Sequence, residues 1–362
     1  MKKIYLLIIL VSSFVFSQEN KDTNVFDVTV LRGNVLPHTS DLYHLQGHPK
    51  GLMLSFSKQT HGSEEWQSAF NYPDYGGYFL YENFNNNFLG KTYAVGVHYN
   101  FYFFNKNLMF KLAQGFAYAT NPYDKETNSK NKAFGTSILD NTNLGFYYKK
   151  ERIIDKIGIQ AGLLFSHFSN GRTKSPNSGI NTLAINLGLN YNFEDKKNNV
   201  KDTTLIKLTY KESVKYNFVF RTGVNESPII HSGQHPFYHI GFYADKRIGR
   251  KSAFQLGSEL FLTTSFKDFI KYKSVAFPEK NIDPNTDYKR VGVFVGHELF
   301  INRISIEAQL GYYVYDPFHN EIAIYDRVGM KYYFGKKVFA GFTIKTHLFL
   351  AEALEFGLGV RL

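Results

Sequence analysis

His167 and Ser169 lie two residues apart in the run Phe165-Ser-His167-Phe-Ser169-Asn170-Gly171-Arg172, and Pro176-Asn177 and Asn181 follow shortly after. A serine hydroxyl is a weak nucleophile until an imidazole takes its proton, and the imidazole needs a third group to fix its tautomer. Serine, histidine and asparagine can fill those three roles, and the chemistry they would do together is ester hydrolysis. The His-x-Ser spacing alone says little. It recurs at His38-Thr-Ser40 and His61-Gly-Ser63, in polar segments without strand periodicity, and neither is assigned a role. His297 has Leu299 two residues on and no serine, so it has no nucleophile to activate.

The elements that would position these residues read as β-strands. Ile157, Ile159, Ala161, Leu163 and Phe165 alternate with Lys156, Gly158, Gln160, Gly162 and Ser166, and His167 and Ser169 continue the apolar phase. Successive side chains of a strand point to opposite faces, so nucleophile and base would share the apolar face. After the Gly/Asn-rich loop the next strand carries Leu183, Ile185, Leu187, Leu189, Tyr191 and Phe193 in one phase, and Asn181 shares it. A cross-strand residue on the same face can reach the far ring nitrogen of the histidine. The hairpin at about 153–193 can therefore assemble the three groups on its apolar side.

That side would face lipid. Residues Ile304, Ile306, Ala308, Leu310, Tyr312 and Val314 alternate with Ser305, Glu307, Gln309, Gly311 and Tyr313, and other strands repeat the period. A charged second face fits the interior of a membrane barrel, where lipid-facing and lumen-facing residues alternate. The 61 Tyr and Phe residues supply the aromatic girdles such barrels carry. The end of the chain, Leu354-Glu-Phe356-Gly-Leu358-Gly-Val360-Arg-Leu362, resembles the closing strand of an outer-membrane barrel. The fold class expected is all-β, an antiparallel transmembrane β-barrel of about 12–16 strands. One barrel over residues 18–362 is favoured over two smaller ones in tandem, because no linker composition interrupts the chain. Glu298, Glu307 and Arg361 would then line an aqueous lumen.

Tight turns are expected at Asn105-Lys-Asn107, Lys149-Lys-Glu151, Arg247-Ile-Gly-Arg250, Asn302-Arg303 and Gly335-Lys-Lys337, with long connections around 120–135, 170–180, 225–234 and 265–286. Short turns face the periplasm and long loops the exterior. The loop end of the catalytic hairpin thus belongs at the outer leaflet.

Residues 1–17 read as a secretory signal, with Lys2 and Lys3 before the apolar run Ile4 to Phe16 and a cleavage point at Ser17-Gln18. The chain has no cysteine, which excludes disulfides, thiolate metal sites and a lipoprotein anchor. The formal charge is +11, two of those charges lying in the leader. Basic loops at a bacterial surface would meet anionic lipopolysaccharide phosphates. No run of Lys and Arg marks a nucleic-acid site.

His167-Phe-Ser169-Asn170-Gly171-Arg172 followed by Pro176-Asn177-x-Gly179-Ile180-Asn181 resembles the outer-membrane lipid A 3-O-deacylase (PagL-type acyloxyacyl hydrolase) family. The resemblance implies an esterase on the outer wall of a barrel, acting on lipid A of lipopolysaccharide in place. It casts Ser169 as nucleophile, His167 as base and Asn177 as oxyanion donor. Where that family has a glutamate as third triad member, this chain has Asn181. An asparagine there, after His-x-Ser-Asn-Gly-Arg, also resembles the outer-membrane phospholipase A family. In that scheme Gly171 would lend its backbone N–H to the oxyanion, with Asn170 beside it in the substrate-binding turn, and calcium would assist. The deacylase reading needs no cofactor and no metal. Arg172 and Lys174 stand where head-group phosphates would lie. A third reading, from a different class, is a non-catalytic channel or surface-binding barrel.

Overall fold

The computed structural model describes residues 23–194, 212–348 and 350–362. The leader at 1–17 and the Lys196-Lys-Asn-Asn199 run lie outside the described residues. Among the described residues sixteen antiparallel strands follow one another in sequence order: β1 Asn24–Leu36, β2 Lys50–Lys58, β3 Asp74–Asn83, β4 Lys91–Phe103, β5 Leu108–Ala119, β6 Ile138–Ile154, β7 Ile157–Ser169, β8 Ile180–Asn192, β9 Lys215–Glu226, β10 Gln234–Arg247, β11 Ser252–Thr263, β12 Arg290–Phe300, β13 Ile304–Tyr315, β14 Ile324–Phe334, β15 Val338–His347 and β16 Leu350–Arg361. The strand number and the all-β class agree with the sequence. The closure does not.

The sheet closes twice. β1 pairs with both β2 and β8, and β9 pairs with both β10 and β16, giving two eight-stranded barrels in tandem. The single large barrel expected above is therefore corrected. An in-out period of two is the same whether the eighth strand returns to the first or continues to a ninth, so alternation carries no information about closure.

Eight strands enclose an interior only wide enough for side chains. In the second barrel Arg327 pairs with Glu259 at 2.6 Å and with Glu355 at 2.6 Å, and Lys331 pairs with Glu298 at 3.0 Å and Glu307 at 2.6 Å. Arg361 binds Asp245 at 2.7 Å and Glu212 at 3.0 Å. Glu298, Glu307 and Arg361 do point inward, but into a packed ionic core and not an aqueous lumen. In the first barrel Lys149 meets Asp27 at 3.1 Å and Tyr78 donates to Asn141 at 2.8 Å. The outer walls are apolar and exposed, as at Val95 (59%), Leu256 (65%) and Leu358 (65%). Among the described residues no helix is long and apolar enough to cross a membrane. The strands make the crossing.

One expected turn moves. Lys149-Lys-Glu151 is not a turn: β6 continues to Ile154, with a register shift between Lys150 and Ile154 before the chain reverses. Lys149 looks like a turn residue, yet it faces the lumen and is held there by Asp27 and Glu151. The long connection at 265–286 contains a helix, Ser265–Ala276, which buries Phe266, Phe269 and Ile270 at i, i+3 and i+4 spacing.

Candidate active site

The β7–β8 pairing sets the site. His167 and Asn181 are direct cross-strand partners, one residue from the loop end of the hairpin. The Nδ1–H of His167 donates to Oδ1 of Asn181 at 2.6 Å. That bond fixes the ring and leaves Nε2 as the basic nitrogen. Ser169 ends β7 on the same face, buried, with an Oγ that has no hydrogen-bond partner. Between them Phe168 points inward and packs edge-on against Phe84, 5.8 Å between ring centroids. The buried phenylalanine pins the strand end and fixes which way its two polar neighbours face.

Gly179 closes the space beside the pair. It has φ +68°, and a Cβ there would lie 3.1 Å from His167 Cε1 and 3.2 Å from Ser169 Cβ. Its N–H and that of Ser178 donate to the carbonyls of Ala133 and Lys132, which ties the 170–180 loop to the 120–137 connection.

The turn after Ser169 uses Gly171 and Arg172 at φ +60° and +61°. Asn177 folds back so that its Oδ1 accepts the backbone N–H of Asn170 at 2.7 Å, which leaves its Nδ2 as the remaining donor. Asn170 donates through Nδ2 to the Lys174 carbonyl, while its Oδ1 is buried without a partner. Arg172 is 3.7 Å from Glu321 of the second barrel, and Lys174 is half-buried in the loop. The residues proposed from sequence are thus gathered on one strand pair and one loop, with Arg172 drawn toward the second barrel.

The second barrel holds this loop. Glu226 accepts the Ser175 N–H at 2.6 Å, its own N–H donates to the Arg172 carbonyl at 3.1 Å, and Ser175 Oγ donates to the Ser227 carbonyl. Gln234 donates to the Thr173 carbonyl at 2.8 Å. A Cβ on Gly171 would meet Leu354 Cβ at 2.7 Å, so only glycine lets the turn approach β16 this closely.

Two further residues reach the site. Asn181 Nδ2 is 3.3 Å from Nδ1 of His38, a histidine set aside in the sequence because its segment shows no strand period. Asp140, on β6, is the cross-strand partner of Ser169 and is held by Gln114 and Thr142. A carboxylate missing from residues 171–193 is thus supplied beside the serine by the preceding strand, and not beside the histidine. Among the described residues no group of three or more His, Asp or Glu is arranged to hold a metal ion.

Residues 50–190 match the model of the lipid A 3-O-deacylase (PagL) family, and residues 214–362 match that of the acyloxyacyl hydrolase C-terminal domain. The chain belongs to the lipid A 3-O-deacylase family. The deacylase match ends within β8 and includes the β7–β8 hairpin up to that strand, while the C-terminal match coincides with the second barrel. The family is one of carboxylic ester hydrolases, and with the barrel fold of this chain it places the protein in the outer membrane. No curated protein matches the sequence. Among solved structures, neisserial surface protein A is 10% identical and aligns with 48% of this chain and 99% of its own at TM-score 0.30. A BenF-like porin of Pseudomonas fluorescens is 8% identical over 95% of this chain and 98% of its own at TM-score 0.24.

Proposed function

We propose that this deacylase-family protein hydrolyses the 3-O-acyl ester of lipid A in the outer leaflet, with Ser169 as nucleophile, His167 as general base and Asn181 as the orienting residue. The observation that carries the reading is the His167–Asn181 hydrogen bond at 2.6 Å, with Ser169 on the same outward face. Export by a cleaved leader at 1–17 belongs to the same reading, as does docking of a lipid phosphate by Lys174.

His167 Nε2 takes the Ser169 proton as Oγ bonds to the ester carbonyl carbon, and negative charge gathers on the carbonyl oxygen. In this reading Asn177, whose Nδ2 remains a donor once its Oδ1 has accepted the Asn170 N–H, receives that charge. A preorganised donor of this kind lowers a barrier by about 3–4 kcal/mol. Collapse breaks the carbon–oxygen bond to the sugar, whose oxygen takes the proton back from His167. Water then gives His167 a proton and attacks the acyl-serine, releasing a fatty acid and restoring Ser169. Asn181 orients the ring throughout but brings no charge to stabilise the imidazolium, which makes this a slower site than one with a carboxylate.

The experiment is incubation of the purified, detergent-solubilised protein with lipopolysaccharide, with mass-spectrometric detection of released fatty acid. Release by the wild type and none by His167→Ala is expected. A folded wild-type barrel that releases none, or a His167→Ala protein that matches it, would overturn the proposal.

A further inference from the structure

The outward faces of the two barrels meet, as at the Phe116–Phe342 edge contact of 5.6 Å, and they leave a cleft that opens at the catalytic rungs. Its upper part, about 140 Å³, is bounded by Thr142 and Leu112 of the first barrel and by Ile306, Met330, Phe342 and Leu354 of the second. Thr142 is the cross-strand partner of His167 on the same face. Leu354 is the residue against which Gly171 of the catalytic turn is seated. Leu112 and Ile306 also border a wider apolar space of about 650 Å³ farther toward the short-turn end, so the cleft is continuous.

We propose that this cleft holds the fatty acyl chain of the ester cut at Ser169, so that the second barrel is one wall of the substrate site. The inference rests on the esterase reading above. Leu354 is only 8% exposed, whereas Phe356 and Leu358, next on the same face of β16, are 55% and 65% exposed. The wall is therefore covered at the catalytic level and open to lipid farther along.

Length agrees as well. Asp140, opposite Ser169, is level with Phe116 on β5, and four residues lead from Phe116 to Leu112. At about 3.3 Å per residue this is about 13 Å along the strand, or about 10 Å of depth at the tilt of about 35–45° that such strands have. One leaflet of the apolar band of an outer-membrane barrel, about 25 Å tall, is about 12 Å. A chain with its ester at Ser169 ends near Leu112 and Ile306.

An acyl chain gains no hydrophobic energy by leaving lipid for an apolar cleft, since lipid tails are equally apolar. What the cleft supplies is position. It holds the ester carbon against Oγ and discriminates chains by length and shape.

The test compares hydrolysis of p-nitrophenyl butyrate and p-nitrophenyl myristate in detergent by wild type, Met330→Trp, Phe342→Ala and Ile185→Trp. Ile185 is 66% exposed on β8, away from the cleft. Met330→Trp is expected to lower the myristate-to-butyrate ratio of kcat/KM about tenfold. Phe342→Ala, which widens the cleft, is expected to raise or keep the ratio, and Ile185→Trp to leave it unchanged. A ratio that moves with Ile185→Trp and not with Met330→Trp would put the chain on the open wall of the first barrel and overturn the inference. An unmoved ratio in every variant would overturn it too. Loss of both esters in the wild type would instead defeat the esterase reading, a separate outcome.

Discussion

Asn181 faces His167 directly across the β7–β8 pairing, accepts its Nδ1–H at 2.6 Å, and turns its own amide toward Nδ1 of His38 at 3.3 Å. Orientation of the His167 imidazole therefore depends on a neutral amide that is itself oriented by a second histidine.

Asn181→Glu places a carboxylate opposite His167 in place of the amide. It should hold the same tautomer, stabilise the imidazolium and raise kcat about tenfold. Polar burial opposes the change unless the imidazole pairs with the new charge. Steady-state kinetics on lipopolysaccharide decide: a fall in kcat would mean that the surroundings are built for the amide. Chelation by EDTA reads the same question independently. Turnover should persist, and its loss would favour the phospholipase scheme in which calcium assists.

His38→Ala should lower kcat about fivefold, the effect of losing one hydrogen bond worth about 1 kcal/mol. His38→Asn, which offers an acceptor in its place, should recover part of the loss. His61 hydrogen-bonds with Thr23 at the opposite, short-turn end of the first barrel, so His61→Ala should match wild type. Equal rates for His38→Ala and wild type would remove His38 from the account.

The hairpin was legible in the sequence because alternation fixes faces: His167, Ser169 and Asn181 share one phase, and the loop length brings His167 opposite Asn181. His38 was not legible, since it reaches the site through the long β1–β2 connection, where no period exists to read. Asp140 escaped for a related reason. It lies on the strand before the hairpin, and its pairing with Ser169 is a matter of β6–β7 register. Double closure was not legible either: the polar run Glu194-Asp-Lys-Lys-Asn-Asn-Val-Lys-Asp-Thr-Thr between β8 and β9 has the composition of an ordinary loop.

Gly179→Ala should cost about a hundredfold in kcat. The position has a positive φ, and a methyl group there presses on both the His167 ring and the Ser169 Cβ. A misplacement of reacting groups by about 1 Å has an effect of that size. Near wild-type turnover in a correctly folded Gly179→Ala protein would show that the two groups tolerate more separation than this geometry implies.

Glu226→Ala removes the acceptor of the Ser175 N–H and so loosens the turn that carries Asn177. A loss of about tenfold in kcat with little change in KM is expected, consistent with about 1–3 kcal/mol for leaving the buried Ser175 N–H without its acceptor. Kinetics of the full-length variant check it. An unchanged kcat would mean that the Glu226 contact does not set the working geometry of this turn.

The most direct test of the central claim is mass spectrometry of lipid A from cells that produce the wild-type protein or Ser169→Ala at equal levels in the outer membrane. Loss of one ester-linked acyl chain with the wild type, and intact lipid A with Ser169→Ala, is the predicted result. Deacylated lipid A in the Ser169→Ala cells, matching the wild type, would contradict it.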